Sequence, residues 1–168
     1  HDWRDPKTFD LGDVGDFALV LGDTEKSLQR ITDQAGEWPH LAAIGGDHTV
    51  TLALLRALAR RVGPVGLVHF DAHVDTWRGA AGQDYWHGSV FYHAIEEQLI
   101  DPKRTIQIGI RSPVEREVVE WTLGKGVTIL SAQDVHASPI AEVAQRIHAV
   151  VGAQPAYLTF DIDALDPA

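Results

Sequence analysis

Val65-Gly66-Leu67-Val68-His69-Phe70, running without a break into Asp71-Ala72-His73-Val74-Asp75, decides how the rest of the chain reads. The first residues are apolar with no polar alternation, the pattern of a strand buried on both faces of a parallel sheet. The next five set three metal-competent side chains at alternate positions. Residues i, i+2 and i+4 of an extended segment point to one side, so Asp71, His73 and Asp75 can converge. In open parallel sheets ligands bind beyond the carboxyl ends of the strands, and that is where these three would stand.

Working outward, four further strands are expected at Leu41–Ile44, Thr105–Ile110, Val127–Leu130 and Ala156–Phe160. The last lacks polar alternation and reads as a second strand buried on both faces. Helical patterns lie between them. Thr24–Gln34 follows an Asp23/Thr24 cap, and Thr49–Arg61 stops at Gly63-Pro64. Ser112-Pro113-Val114-Glu115 has the form of a capping box opening a helix to about Trp121. Ser138-Pro139 opens another, with Ile140, Val143, Ala144, Ile147 and Val151 as its apolar stripe. Strand–helix alternation of this kind means an α/β fold with a mainly parallel sheet, here as one domain over 1–168.

Two more segments share the chemistry of Asp71–Asp75. They are Gly45-Gly46-Asp47-His48 and Asp161-Ile162-Asp163, each directly after an expected strand. Together the three bring four carboxylates (Asp71, Asp75, Asp161, Asp163) and two imidazoles (His48, His73) to one crevice. So many like charges raise one another's pKa values unless something neutralises them, and two divalent cations would do so. An oxygen-rich set with some imidazole and no thiolate suits Mn²⁺, and also admits Fe²⁺, Co²⁺, Ni²⁺ or Zn²⁺.

These segments, as Gly45-Gly46-Asp47-His48, His69–Asp75 and Thr159–Pro167, resemble the signatures of the ureohydrolase (arginase and agmatinase) family. Asp10–Val14, His87-Gly88-Ser89 and Gln107–Arg111 are similar to its other landmarks, in the same order. The resemblance covers essentially the whole chain. It implies a three-layer αβα, arginase-like fold and two Mn²⁺ ions per subunit. Asp71 and Asp161 would bridge the ions, His48 and Asp75 would complete one, and His73 and Asp163 the other. A hydroxide between the metals would attack the guanidinium carbon of a small cationic substrate, with Asp163 steering its proton to the leaving amine. His87 matches the family histidine that shuttles protons or contacts substrate, so His87 and Asp163 carry the catalytic roles.

The run Trp86–Tyr92 is more similar to agmatinases than to arginases, which implies hydrolysis of agmatine to putrescine and urea, a step of polyamine biosynthesis. Guanidinobutyrase, proclavaminate amidinohydrolase and arginase activities are the near alternatives. Trp77, Tyr85, Trp86, Phe91 and Tyr92 either pack on the substrate, with cation–π attraction, or close the long loop Asp75–His87 over the sheet. The resemblance also implies a homo-oligomer and a longer parent protein. The chain has no Met and begins His1-Asp2-Trp3, which reads as truncation at both ends, and the glutamate that would grip the guanidinium is expected downstream of Pro167.

Composition narrows the alternatives. The 168 residues carry a formal charge of −10, which disfavours nucleic acid and anionic membranes as partners. There is no Cys, so thiolate chemistry is excluded, and with no apolar span or signal-like opening a cytoplasmic setting is expected. A dimetal phosphoesterase would place its Asp-x-His motif first and a Gly-Asn-His later. Here Gly-Gly-Asp-His48 precedes Asp-Ala-His73, and no Gly-Asn-His exists. A non-catalytic relative would be expected to have lost ligands, and all six stand. His69 reads as a packed, hydrogen-bonded strand residue.

Overall fold

Four strands, all parallel, form one sheet in a computed structural model that describes residues 12–79 and 82–165. Asp10-Leu11, Ala80-Ala81 and Asp166-Pro167 of the sequence landmarks lie outside the described residues. The strands are β1 (Val65–Phe70), β2 (Ile100–Ile110), β3 (Thr128–Ser131) and β4 (Ala156–Phe160), in the order β3-β2-β1-β4. From β1 the chain passes through α3 (Val90–Glu96) to β2, and through α4 (Arg116–Lys125) to β3. Then α5 (Ala132–Ala137) and α6 (Ile140–Val151) carry it back to the far side of β1. The winding direction thus reverses between β1 and β4, and such a switch point opens a crevice at the strand ends.

Helices cover both faces, as the three-layer expectation requires. On one side α1 (Thr24–Ala35) and α2 (Val50–Val62) join α3, burying Leu28, Ile31, Leu52, Leu55 and Phe91. Each such side chain contributes about 1.5–3 kcal/mol on leaving water. On the other side Val143, Ile147 and Val151 of α6 pack on Val68, Ile106 and Ile108. Ile140, expected in the same stripe, stays exposed. Asp23 caps α1 by accepting from the Lys26 N–H at 2.9 Å. Among the described residues no helix is long and apolar enough to cross a membrane.

Three expectations change. Leu41–Ile44 pairs with no strand. A trough of about 770 Å³ is lined by Leu41 and Ile44 of this stretch and by Leu158 and Phe160 of β4, with no ladder joining the two. For the same reason β4 is an edge strand with Leu158 and Phe160 half exposed, not one buried on both faces. The Ser112–Glu115 capping box does not form either, and α4 begins only at Arg116. Glu115 is engaged elsewhere, accepting from the Trp77 indole N–H at 2.7 Å, so Ser112 and Pro113 are left to line the crevice.

Candidate metal centre

The register pairs Phe70 with Phe160, so Asp71 and Asp161 emerge side by side at the switch point. The Asp161 N–H donates to Phe70 O at 2.9 Å, and the Asp71 N–H to Ile108 O at 3.1 Å, extending the ladders by one residue. Beyond that the backbone bends away, and alternate spacing along an extended strand is not what gathers the ligands. The Asp71 carboxylate accepts from the His73 N–H at 2.7 Å and turns the chain back on itself. Asp161 caps a 3₁₀ turn, Ile162–Ala164, by accepting from the Asp163 N–H at 3.0 Å. Asp75 holds the left-handed conformation, with φ 48°, that non-glycine residues seldom adopt outside special sites. Its carbonyl accepts from Phe91 N–H at 2.9 Å, tying the turn to α3.

His48 arrives from a tight turn before α2. Asp47 organises that turn, accepting from both the backbone N–H and the hydroxyl of Thr49. Gly45 is needed because a Cβ there would stand 2.9 Å from a Val50 methyl. On β2, Gly109 has φ 96°, and a Cβ would stand 3.2 Å from Asp71 O. A side chain at position 109 would therefore press on the backbone that carries Asp71.

Among the described residues the ligand atoms fall into two groups that share one carboxylate. His48, His69, Asp71 and Asp75 form a buried group, while Asp71, His73 and Asp163 form a more open one. His48 Nδ1 lies 2.8 Å from Asp75, 3.2 Å from Asp71 and 3.6 Å from Asp161. Its Nε2 meets the Thr159 hydroxyl at 3.1 Å. His73 Nδ1 lies 3.0 Å from Asp163 and 3.3 Å from Asp71. Both imidazoles therefore turn Nδ1 to the carboxylates. Asp71 sends Oδ2 to the His48 side and Oδ1 to the His73 side. Asp161 belongs to neither tight group but stands at the wall beside both.

Electrostatics fit a cation site. Burial works against a charged His48, yet hydrogen bonds to Asp71 and Asp75 outweigh it and push its pKa up to about 10. Burial likewise opposes an ionised Asp71, but His48 and His69 hold its carboxyl far below the usual carboxylate range. Asp163 goes the other way: its desolvation, aided by the nearby Asp71 and Asp161 charges, lifts its pKa despite a hydrogen bond from the Ala72 N–H. An acceptor-rich pocket whose carboxylates favour positive charge at His48 is matched to divalent cations in donor chemistry and in charge.

A cavity of about 600 Å³ opens over these ligands, and His87, Trp77 and Trp86 line it. His87 is largely exposed, in a 3₁₀ turn, with Nδ1 3.5 Å from the Asp47 carboxylate. Of the five aromatics, only Trp77 and Trp86 border this cavity. Tyr85 packs on His93, Tyr92 on Trp121, and Phe91 lies fully buried under the imidazoles of His48 and His69 at 5.5 and 4.4 Å between ring centres.

Two supporting residues at the ends of the landmark Gln107–Arg111 had no role assigned from the sequence. Arg111 donates to the carbonyls of Asp163 (2.7 Å) and Leu165 (3.1 Å), clamping the turn after β4. Gln107 is fully buried against His69. The available signals were a Gln between isoleucines on a buried strand and an Arg directly after its end.

The Arginase family profile matches residues 1–168. An agmatinase of Neisseria gonorrhoeae (strain NCCP11945) is 41% identical over 175 residues, covering 98% of this chain and 54% of the relative. The solved proclavaminate amidino hydrolase of Streptomyces clavuligerus superposes with a TM-score of 0.83 at 36% identity, over 91% of this chain and 52% of that one. The arginase of Bacillus subtilis subsp. subtilis str. 168 gives 0.81 at 20% identity over 93% and 62%, which bears on the fold alone. The chain spans about half the length of the curated relatives it matches.

Proposed function

The chain belongs to the arginase family, and from that premise we propose that it supplies the dimetal centre of an enzyme hydrolysing a guanidino compound, agmatine foremost, to urea and an amine. One observation carries the reading: the buried Asp71 carboxylate is shared by two ligand groups, one oxygen directed to each. Asp71 and Asp161 would serve both ions, His48 and Asp75 completing the set for one, and His73 and Asp163 for the other. Manganese is the proposed metal, on the strength of carboxylates and imidazoles without thiolate. When bound, the two cations supply an activated water at neutral pH and charge stabilisation in the transition state.

The chain's own residues do the rest. Asp163 has one oxygen anchored by the Ala72 N–H and borders the cavity, where it would pass a proton to the leaving amine. His87 sits at the cavity wall with access to solvent, placed to exchange that proton. Asp47, whose ionised form outlasts its partial burial through hydrogen bonds from Thr49, adds negative charge beside His87 for a cationic substrate. Trp77 and Trp86 offer ring faces to the substrate's methylene chain. The proposal includes a homo-oligomer working in the cytoplasm.

Relatives named for agmatine and for proclavaminate both align with the chain, so the substrate assay needs several arms. The Mn²⁺-loaded intact protein is expected to release urea from agmatine. Release from arginine, 4-guanidinobutyrate or the proclavaminate precursor, but not from agmatine, would move the substrate within the family. No urea from any guanidino compound would end the enzymatic reading.

A further inference from the structure

We infer that Gln107 and His69 form a buried positioning relay that fixes the tautomer of one imidazole and, through it, the orientation of the shared Asp71 carboxylate. The inference rests on the reading of Asp71 as the ligand common to both metals. His69 and Gln107 are directly paired in the β1–β2 register, and neither has any exposed surface. Gln107 Nε2 lies 2.6 Å from Val74 O and 3.2 Å from His69 Nδ1. A backbone carbonyl only accepts, so the amide atom facing Val74 must be the nitrogen, since a flipped amide would press two oxygens together. Both amide hydrogens are then committed, one to Val74 O and one to His69 Nδ1.

His69 Nδ1 is therefore an acceptor, and the ring proton sits on Nε2. That N–H points at Asp71 Oδ2, 2.7 Å away. The same oxygen faces His48, while Oδ1 is pinned by the His73 N–H at 2.7 Å. Asp71 is thus held at both ends, each oxygen facing one ligand group. Phe91 closes the other face of the His69 ring at 4.4 Å. No step requires a change of charge.

The unpaired atom of Gln107 supports a role beyond packing. Its Oε1 is buried with no partner among the described residues, a standing penalty that Leu or Met at this position would avoid. Among uncharged side chains of this length, only the amide supplies two donors to Val74 and His69 at once. His69 also lies within ligand distance of the buried group, but its proton is directed at Asp71, which makes it a supporter of that carboxylate and not itself a metal ligand.

The test uses the intact protein. In the metal-free wild type, long-range ¹H–¹⁵N spectra of labelled histidine should show His69 as the Nε2–H form. An Nδ1–H signal overturns the relay whether or not any variant folds. Gln107→Met should then weaken Mn²⁺ binding about 10–100-fold by calorimetry, with thermal stability of the metal-free protein retained and KM for the guanidino substrate unchanged as kcat falls. A purely structural residue would show the reverse, a lower Tm at unchanged Mn²⁺ affinity. Asp71→Asn separates the two layers of argument. If it keeps both metals, the reading of Asp71 is wrong. If it loses them while Gln107→Met and His69→Leu bind as wild type does, the relay alone is wrong.

Discussion

Replacing Asp71 by Asn changes one atom at the junction of the two ligand groups, and the structure sets what should follow. In either orientation the new amide NH₂ meets a donor: the His73 N–H at the Oδ1 position, or the His69 Nε2–H at the Oδ2 position. One buried donor is left unpaired, at about 1–3 kcal/mol. Loss of a buried ion-pair partner can cost about 3–5 kcal/mol, but Asp75 still faces His48 at 2.8 Å and takes up most of that load. Relief of repulsion at Asp163 works in the opposite direction. Metal-free Asp71→Asn should therefore be only about 2 kcal/mol less stable than wild type. The larger effect is on metal linkage. Two ions at 100 times their dissociation constant stabilise the wild type by about 5 kcal/mol, roughly 2.7 for each. Urea denaturation with Mn²⁺ and with chelator measures that increment directly. It should collapse in Asp71→Asn, because both sites lose a ligand. An undiminished Mn²⁺ increment would refute the shared-carboxylate account.

Other consequences concern single residues. His48 has a folded pKa raised to about 10, so its pairing stabilises the metal-free fold fully below its unfolded value near 6.5 and is lost as pH rises through about 10. Asp71, with its pKa lowered, contributes above about pH 4 and loses that contribution as pH falls further. These are two views of one contact, so metal-free stability should form a single plateau between about pH 4 and 6.5 and decline on either side in a pH series of denaturation curves. Since His48 must shed its proton to bind metal, calorimetry in buffers of different ionisation enthalpy should find about one proton released at neutral pH. Gly109→Ala should destabilise by about 1–2 kcal/mol from the left-handed backbone alone and should also weaken metal binding, read by denaturation and metal titration. His87→Ala should lower kcat by about 10²–10⁴-fold while leaving two ions bound, since His87 belongs to neither ligand group.

The buried strand β1 was readable to the residue, because Val65–Phe70 has no polar alternation (His69 is its one polar position) and lies between two other strands. Leu41–Ile44 is as apolar, and periodicity cannot tell whether a neighbour stands within hydrogen-bonding distance. Helix α2 was legible from its leucines and from Gly63, whereas α5 is a short capped helix and α3 begins just past the long loop Asp75–His87, where no helix was expected. At the site, the residue types and their order were enough to name the six ligand candidates. How they meet was not legible. The Asp71–His73 turn, the 3₁₀ turn at Asp163 and the left-handed Asp75 depend on backbone geometry that an i, i+2 rule does not contain. Phe91 and Arg111 act through contacts with residues more than 15 positions away, so the local sequence singles them out without saying what they touch.

Anomalous diffraction from crystals of the intact protein grown with Mn²⁺, collected on both sides of the manganese edge, tests the shared-carboxylate centre most directly. The account predicts two manganese peaks per chain with Asp71 common to both, one beside His48 and Asp75 and the other beside His73 and Asp163. A single peak at saturating Mn²⁺, or two peaks with no common carboxylate, would contradict it.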